Sequence, residues 1–316
     1  MKQVAQKINW RKPNTPFAVQ WYMTPRCNFD CAYCMPWDPD NKWSYYHDAV
    51  SKPPTLDVML SYVDKIISHK GNNIEWGLGG GEPTVIKDFP KLVKYLRQTN
   101  PYDVTMCTNG SLPEKKLLPI YEDLDGIVMS LHMKYVAEKP DEYIEKLIAL
   151  EDQRRDNQSL TARFMIDPAY MDLIEDMYRE LMLAKIHKVD FRNVKFNSGE
   201  TWYSDKDLNK MNEWYDEYGK QASNIVRTYE DGSEEEINYE LITLNNEHSY
   251  TGWSCLAGIE QCNIDPMGRV SVGNCNVGGA FGNLNDDNFE FPTAPVVCDK
   301  KWCMDYCDIR TTKWIA

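Results

Sequence analysis

Long apolar runs are missing from this chain of 316 residues. No stretch approaches the roughly 18 apolar residues that a membrane-spanning helix needs, so we expect no membrane span and no membrane partner. The N-terminal stretch, residues 1–16, is polar and basic and lacks the apolar core of a secretory signal. We therefore expect a cytoplasmic protein.

Positive charge is also scarce, because 35 Lys and Arg stand against 48 Asp and Glu and leave a net charge of −13. Nucleic-acid binding needs clustered basic side chains, so we expect no nucleic-acid partner, although a local basic pocket is compatible with this balance. Internal repeats and low-complexity segments are absent from the sequence. With 42% hydrophobic residues, the chain is globular, and its length suits a β/α barrel with an appendage.

Cysteine is plentiful, and ten cysteines in a chain without an export signal favour metal ligands over disulfides. Three of them, Cys27, Cys31 and Cys34, lie within eight residues in the spacing C-x3-C-x2-C. Iron–sulfur clusters ordinarily take four cysteines, so three thiolates on a 4Fe-4S cluster leave one iron open to a small molecule. A zinc site and a set of buried thiols are the alternatives.

Apolar, strand-like runs alternate with helical patterns from residue 17 to residue 194. The alternation predicts an α/β fold with a parallel sheet and right-handed crossovers, and six units fit a partial barrel that is open on one side. The cysteine motif follows the first strand, at the edge where such barrels carry chemistry. The six predicted strands cover residues 17–24, 74–78, 104–107, 127–131, 162–166 and 189–194. Helical faces include Leu56, Phe89, Tyr143 and Ile174, with Thr55 as a candidate N-cap.

Glycine and polar residues follow the predicted strands at the same edge of the sheet. The second strand runs into Gly79, Gly80, Gly81, Glu82 and Pro83; later strands end near Thr108, Asn109, Ser130, His132 and Arg163. Glycines allow close approach of a ligand to the backbone, although a tight turn explains them equally well. Loop hydrogen bonding, a structural histidine and a surface ion pair are the alternatives for the polar residues. Cys107 is interpreted as a core thiol.

The cysteine motif, with the glycine motif one strand and one helix later, resembles the cluster-binding and GGEP motifs of the radical S-adenosylmethionine (radical SAM) superfamily. The resemblance covers about residues 17–200 and implies a partial (β/α)6 TIM-type barrel. It implies a 4Fe-4S cluster on Cys27, Cys31 and Cys34, with S-adenosylmethionine bound to the open iron. The other cofactor-binding residues that it implies are Tyr33 beside the adenine, Gly79, Gly80, Gly81, Glu82 and Pro83 around the methionyl group, and Thr108, Asn109, Ser130, His132 and Arg163 for the ribose and carboxylate.

Six further cysteines lie near the C-terminus: Cys255, Cys262, Cys275, Cys298, Cys303 and Cys307. The turn Pro266-Met267-Gly268 predicts a hairpin that brings Cys262 and Cys275 together. This region resembles the auxiliary-cluster domains of radical SAM enzymes, called SPASM or twitch. The resemblance implies one auxiliary 4Fe-4S cluster on Cys255, Cys262, Cys275 and Cys307, with Cys298 and Cys303 either spare or part of a second cluster. A zinc site on four of the six is the alternative.

We therefore expect three parts: a partial barrel at residues 1–200, a bridge at 201–254 and a cysteine-rich α+β domain at 255–316. The bridge carries a predicted helix, Asp205 to Lys220, and a hairpin whose strands are Ile225 to Glu230 and Glu234 to Leu241. Four aromatics are predicted to line either the barrel rim or the substrate pocket: Trp37, Trp43, Tyr45 and Tyr46.

The resemblance implies reductive cleavage of S-adenosylmethionine to a 5′-deoxyadenosyl radical, with an electron from a flavodoxin- or ferredoxin-like donor. The radical removes hydrogen from a peptide or a small metabolite, and the auxiliary cluster assists a net oxidation. An activase that installs a radical on a partner protein and a non-catalytic iron–sulfur carrier are the alternatives. Only 26 residues precede Cys27, too few for a fused peptide-recognition domain. The sequence assigns no catalytic residue.

Overall fold

The computed structural model describes residues 5–9, 15–34, 54–186, 188–194, 203–218, 224–303 and 305–315. Trp37, Trp43, Tyr45 and Tyr46 lie outside these ranges, so the prediction about them is untested. Among the described residues, no helix is long and apolar enough to cross a membrane.

Six parallel strands form the barrel sheet in chain order, and all six correspond to predicted strands. A preceding strand, β1 (Ala5–Asn9), belongs to a second sheet. The barrel strands are β2 (Phe17–Tyr22), β3 (Ile74–Gly79), β4 (Val104–Thr108), β5 (Gly126–His132), β6 (Ser159–Ile166) and β7 (Val189–Asn193). The helices between them are α1 (Leu56–Lys70), α2 (Phe89–Thr99), α3 (Glu114–Tyr121), α4 (Met133–Val136), α5 (Pro140–Asp152) and α6 (Met171–Leu183).

Alternating side chains of the strands divide the barrel into an apolar outer layer and a more polar interior. On β2, Val19 and Trp21 pack against Tyr62 of α1, and the rings of Trp21 and Tyr62 are 6.1 Å apart. Their neighbours Gln20 and Tyr22 point to the other face and line the interior, as the two-residue period of a strand requires. Polar side chains can therefore line the barrel interior, while burial of the apolar layer against the helices stabilises the fold.

The barrel sheet stays open, and its free side is extended by the cysteine-rich region. Strand β11 (Gln261–Ile264) pairs in parallel with β2, and β12 (Arg269–Ser271) and β13 (Ala280–Asn283) continue the sheet. The predicted turn at Pro266-Met267-Gly268 joins β11 to β12, and Gly268 has φ +78°. An open α/β sheet with this order is consistent with the predicted partial barrel.

A second sheet takes strands from both ends of the chain, in the order β14-β10-β15-β1-β8-β9. Its remaining strands are β8 (Asn224–Tyr229), β9 (Glu234–Asn238), β10 (Ser254–Cys255), β14 (Val296–Val297) and β15 (Lys313–Trp314). Both sheets therefore cross the boundaries that the sequence suggested near residues 200 and 254.

The helix and the hairpin predicted between residues 201 and 254 are present, with one correction. Helix α7 (Asp205–Tyr218) and the hairpin of β8 and β9 form as expected. However, the prediction that the second strand reaches Leu241 was wrong, because β9 ends at Asn238 and helix α8 (Tyr239–Leu244) follows. Asn238 caps that helix, since its side-chain oxygen accepts a hydrogen bond of 2.8 Å from the amide of Glu240. Thr55 does stand at the N-cap of α1, but its side chain makes no capping hydrogen bond.

Candidate active site

A cavity of about 380 Å³ lies inside the open barrel. The cysteine motif and the strand-end residues, which are far apart in sequence, meet around it. The predicted site residues that line the cavity are Cys27, Cys31, Cys34, Gly79, Gly80, Gly81, Thr108, Asn109, Ser130, His132, Arg163 and Cys307.

The loop after β4 holds the cysteine loop in place. Asn109 donates through Nδ2 to Asn28 Oδ1 at 2.9 Å and contacts Cys27 Sγ at 3.6 Å. The amide of Phe29 also donates to Cys27 Sγ, at 3.3 Å. Cys27 is therefore anchored from two sides, and Asn109 serves the cysteine motif as well as the cavity wall.

Burial keeps the three thiols of the cysteine motif in their protonated form. It raises the pKa of Cys31 to about 11 and that of Cys34 to about 12, and it also raises the pKa of Cys27. Metal binding needs the thiolate, so a bound cluster would replace these protons. Three free thiols on one loop, facing one cavity, are a donor set that fits a cluster with one open iron.

His132 joins the aromatic residue of the cysteine motif to its central thiol. Its Nδ1 lies 2.9 Å from the Tyr33 hydroxyl and 3.3 Å from Cys31 Sγ, and the rings of Tyr33 and His132 stack 5.9 Å apart. Burial lowers the pKa of His132 to about 4, so the imidazole is neutral at pH 7. Tyr33 is thus fixed against the cavity wall by His132.

The glycines after β3 are required by their contact with the cysteine loop. Gly80 has φ +118°, and a Cβ there would lie 2.7 Å from the carbonyl oxygen of Thr24; a Cβ on Gly81 would meet the carbonyl oxygen of Arg26. The amide of Gly81 donates to Thr24 O at 2.6 Å. The glycines were expected to let a ligand approach the backbone. In the structure, Gly80 and Gly81 let the loop after β3 pack closely against the loop after β2.

Glu82 lies behind the glycines and has a structural set of partners. It is fully buried, and its carboxylate accepts hydrogen bonds from the Thr84 amide and hydroxyl, from Thr108 Oγ1 at 2.9 Å and from the Asn109 amide at 2.7 Å. Pro83 is buried in a 3-10 turn directly after it. The contacts of Glu82 therefore tie the loop after β3 to the end of β4, and its expected place around the methionyl group stays a prediction.

Arg163 forms a buried ion pair, which corrects one alternative. Its Nε lies 2.6 Å from Asp190 Oδ2, and the two side chains are 18% and 3% exposed. A surface ion pair is thereby excluded, while the guanidinium still lines the cavity.

Cys107 also lines the cavity, with its sulfur 3.4 Å from Ser130 Oγ, so its interpretation as a core thiol was wrong.

The C-terminal cysteines are grouped differently from the predicted ligand set. Cys255, Cys275, Cys298 and Cys303 line a second cavity, which is narrow at about 20 Å³. Cys262, on β11, lies opposite Val19 of β2 and is buried in the barrel core. Cys307 lines the barrel cavity. The hairpin forms, but it does not bring Cys262 and Cys275 to one cavity.

A buried carboxylate outside the predicted ligand set holds the segment that carries Cys275. Asp308 accepts hydrogen bonds from the Cys275 amide at 2.6 Å, from the Asn274 amide at 3.0 Å and from Gln261 Nε2 at 3.0 Å. It also lines the narrow cavity. Its short helix, α9 (Tyr306–Ile309), places Cys307 on the barrel side of the same turn. Gly273 leaves room for this carboxylate, because a Cβ there would collide with Asp308.

Zinc sites were the alternative for both cysteine groups. Within the described ranges, no group of three or more His, Cys, Asp or Glu side chains converges closely enough to hold a single metal ion. The described thiols instead surround cavities. The zinc alternative therefore has no matching group in this part of the chain.

Known proteins with related sequences share the barrel. Residues 21–157 match the family model described as Radical SAM superfamily. The chain is 24% identical over 183 residues to Fe-coproporphyrin III synthase of Methanosarcina barkeri, covering 54% of this chain and 43% of that protein. It is 26% identical over 196 residues to GTP 3′,8-cyclase of Campylobacter lari, covering 58% and 56%. The chain thus spans only about half the length of these curated relatives.

Solved structures show the same fold over more of the chain. The structure described as native anSMEcpe with bound AdoMet and Cp18Cys peptide has a TM-score of 0.56 at 16% identity, and it covers 86% of this chain and 78% of that one. The structure of native anSMEcpe with bound AdoMet gives 0.57 with the same coverage. At this identity the likeness concerns the fold alone. The shown relationship is therefore a Radical SAM superfamily domain at residues 21–157, within a fold that these solved structures share over most of the chain.

Proposed function

We propose that the chain reductively cleaves S-adenosylmethionine in the barrel cavity and uses the resulting radical to remove hydrogen from a small-molecule substrate. The observation that carries the proposal is the meeting of Cys27, Cys31 and Cys34 with the glycine loop in one cavity. When bound, a 4Fe-4S cluster and S-adenosylmethionine supply the 5′-deoxyadenosyl radical, after an electron from an external flavodoxin- or ferredoxin-like donor.

The protein's own residues position and shield this chemistry. Cys27, Cys31 and Cys34 would hold the cluster, and Asn109 fixes the loop that carries them. Ser130 and the paired guanidinium of Arg163 face the cavity from neighbouring strands, β5 and β6, and would orient the carboxylate of S-adenosylmethionine. The buried neutral imidazole of His132 excludes water beside Cys31. Such positioning is the main contribution of a protein to a cofactor-driven reaction.

A small-molecule substrate is favoured over a peptide. The C-terminal segment supplies Asn274, Asp305, Tyr306, Cys307 and Arg310 to the cavity wall, so the barrel interior is lined on its open side as well. A volume of about 380 Å³ is in the range of small-molecule pockets. The matched curated relatives are named as a cyclase and a synthase, whereas a bound peptide is described for one neighbour of the fold.

An auxiliary 4Fe-4S cluster is proposed on Cys255, Cys275, Cys298 and Cys303. This set replaces the one expected from the sequence, because Cys262 and Cys307 face elsewhere. Four free thiols from four separate segments form the donor set that such clusters ordinarily take. The cavity of about 20 Å³ between them is small, so binding a cluster requires this cavity to widen. When bound, such a cluster would supply an electron acceptor for an oxidation.

The proposed activity is tested by anaerobic incubation of the reconstituted protein with S-adenosylmethionine and dithionite. We expect 5′-deoxyadenosine and methionine to form in equal amounts, measured by mass spectrometry. The variant with Cys27, Cys31 and Cys34 all changed to Ala should form neither, and Cys262→Ala, whose thiol faces the core, should keep the activity. Cleavage by the triple variant, or no cleavage by the wild type, contradicts the proposal.

A further inference from the structure

The barrel cavity is longer than the region around the cysteine motif. Its lining on β3 runs from Glu75, the second residue, to Gly79, the last. Four residue steps of a strand span roughly 13 Å. The cysteine loop occupies the carboxyl end of the strands, so the remaining length is available to another molecule.

The C-terminal segment crosses the open interior of the barrel. Arg310 Nη2 lies 2.7 Å from Glu75 Oε1 on β3, and Asp305 Oδ2 lies 4.0 Å from Arg192 Nη2 on β7. Residues 305–310 therefore connect the second and the sixth strand of the barrel across its open interior. Their side chains form one wall of the cavity.

Two guanidiniums are held in this wall by aromatic rings. Arg192 lies over the ring of Tyr239 at 4.9 Å, and Arg310 lies 5.4 Å from the ring of Tyr306. Tyr239 and Tyr306 pack against each other at 4.7 Å. Guanidiniums that are stacked and paired lose little freedom when they bind an anion, so this arrangement is preorganised.

Arg192 presents a donor to the cavity. Its Nη1 donates to Glu240 Oε1 at 3.0 Å, which fixes one of the two terminal nitrogens of the guanidinium fork. Its Nη2 is 4.0 Å from the nearest carboxylate oxygen of Asp305, beyond hydrogen-bond distance. The side chain is 19% exposed and lines the cavity. An oxygen of a bound anion would complete this side of the fork.

We propose that Arg192, supported by Arg310, binds an acidic group of the substrate, a carboxylate or a phosphate, in the barrel cavity. The inference rests on the proposed function, and it names the substrate class for that site. It makes Arg192 a specificity-determining residue, because a neutral analogue would leave the guanidinium without its partner.

The test uses the reconstituted holoenzyme with S-adenosylmethionine and two probes, inorganic pyrophosphate and succinate, in isothermal titration calorimetry. We expect the wild type to bind one of them, and the probe that binds identifies phosphate or carboxylate chemistry. Arg192→Gln should weaken that binding at least tenfold, and Arg192→Lys, which keeps the charge without the fork, should weaken it less. Arg97→Gln removes an arginine that pairs with Asp125 outside the cavity and should leave binding unchanged.

A stability measurement and the remaining binding results decide the inference. Thermal unfolding of Arg192→Gln within a few degrees of the wild type shows that the loss is local, and Arg192→Lys carries the test if the glutamine variant does not fold. A holoenzyme that cleaves S-adenosylmethionine but binds neither probe, or an Arg192→Gln variant that binds as tightly as the wild type, overturns it. Absence of cleavage contradicts the proposed function instead.

Discussion

Arg310 donates a hydrogen bond of 2.7 Å to Glu75, and this pair joins the C-terminal segment to strand β3 of the barrel. The arginine side chain is 5% exposed and the glutamate 18%. Asp305, Tyr306, Cys307 and Arg310 are therefore part of the barrel interior, and the cavity would be incomplete without them.

Breaking this pair should destabilise the whole protein. Glu75→Gln leaves a buried guanidinium without its charged partner, so we expect the free energy of unfolding to fall by about 3–5 kcal/mol. Glu142→Gln breaks the exposed pair with Lys139, in which both side chains are 49% exposed, and should cost no more than about 1 kcal/mol. Urea denaturation measures both changes in the free energy of unfolding. Equal changes in the two variants would show that the Arg310–Glu75 pair stabilises the protein no more than an exposed ion pair does.

The regrouped cysteines make a direct prediction about iron content. We expect Cys303→Ala to lower the iron of the reconstituted protein from about eight to about four per chain, because one of the two cubanes loses a ligand. Cys307→Ala should retain about eight, because that thiol lines the barrel cavity. The opposite result, a loss with Cys307→Ala and none with Cys303→Ala, would restore the ligand set expected from the sequence.

Gly81 should be needed for the cysteine loop as well as for the cofactor. A valine there collides with the backbone of Arg26, next to Cys27, so we expect Gly81→Val to lose both iron and S-adenosylmethionine binding. Gly79→Ala is the matched control, since its Cβ would have no neighbour nearer than Cys107 Cβ at 4.0 Å. Full iron content in Gly81→Val, with S-adenosylmethionine binding alone reduced, would favour a direct contact with the cofactor.

Asp103 should make stability depend on pH. Burial, with the charges of Glu75 and Asp125, raises its pKa from 3.8 to about 6. Because the folded pKa is above the unfolded one, the ionised carboxylate disfavours folding above pH 6, and this penalty disappears as the pH falls toward 4. Asp103→Asn should therefore stabilise the protein by about 1–3 kcal/mol at pH 7.5 and have little effect at pH 4.5. Urea denaturation at both pH values measures the difference, and an equal gain at both would refute the assignment.

The barrel was predictable because its signals are local. Each parallel strand is a short apolar run, and the loops after β2 and β3 carry motifs whose spacing indicates their chemistry. Glu82 was harder to interpret, because the motif looks the same in sequence whatever the glutamate contacts. In the structure its carboxylate accepts four hydrogen bonds from other residues of the protein.

The C-terminal region was predicted less well because its contacts are long-range. Position in a cysteine pattern favoured Cys262 and Cys307, but the pairing of β11 with β2 turns Cys262 into the barrel core. Nothing near Cys298 or Cys303 in sequence indicates that strands β10 and β14 bring Cys255 beside them. Arg192 and Arg310 acquire a common role only through the segment that crosses the barrel.

The central claim is that two separate cavities hold iron, one on the cysteine motif and one on the regrouped C-terminal cysteines. Anomalous scattering at the iron edge from crystals of the reconstituted protein tests it most directly. We predict two groups of iron peaks, one beside Cys27, Cys31 and Cys34 and the other among Cys255, Cys275, Cys298 and Cys303. Iron beside Cys262 or Cys307, or none in the barrel cavity, would contradict the account.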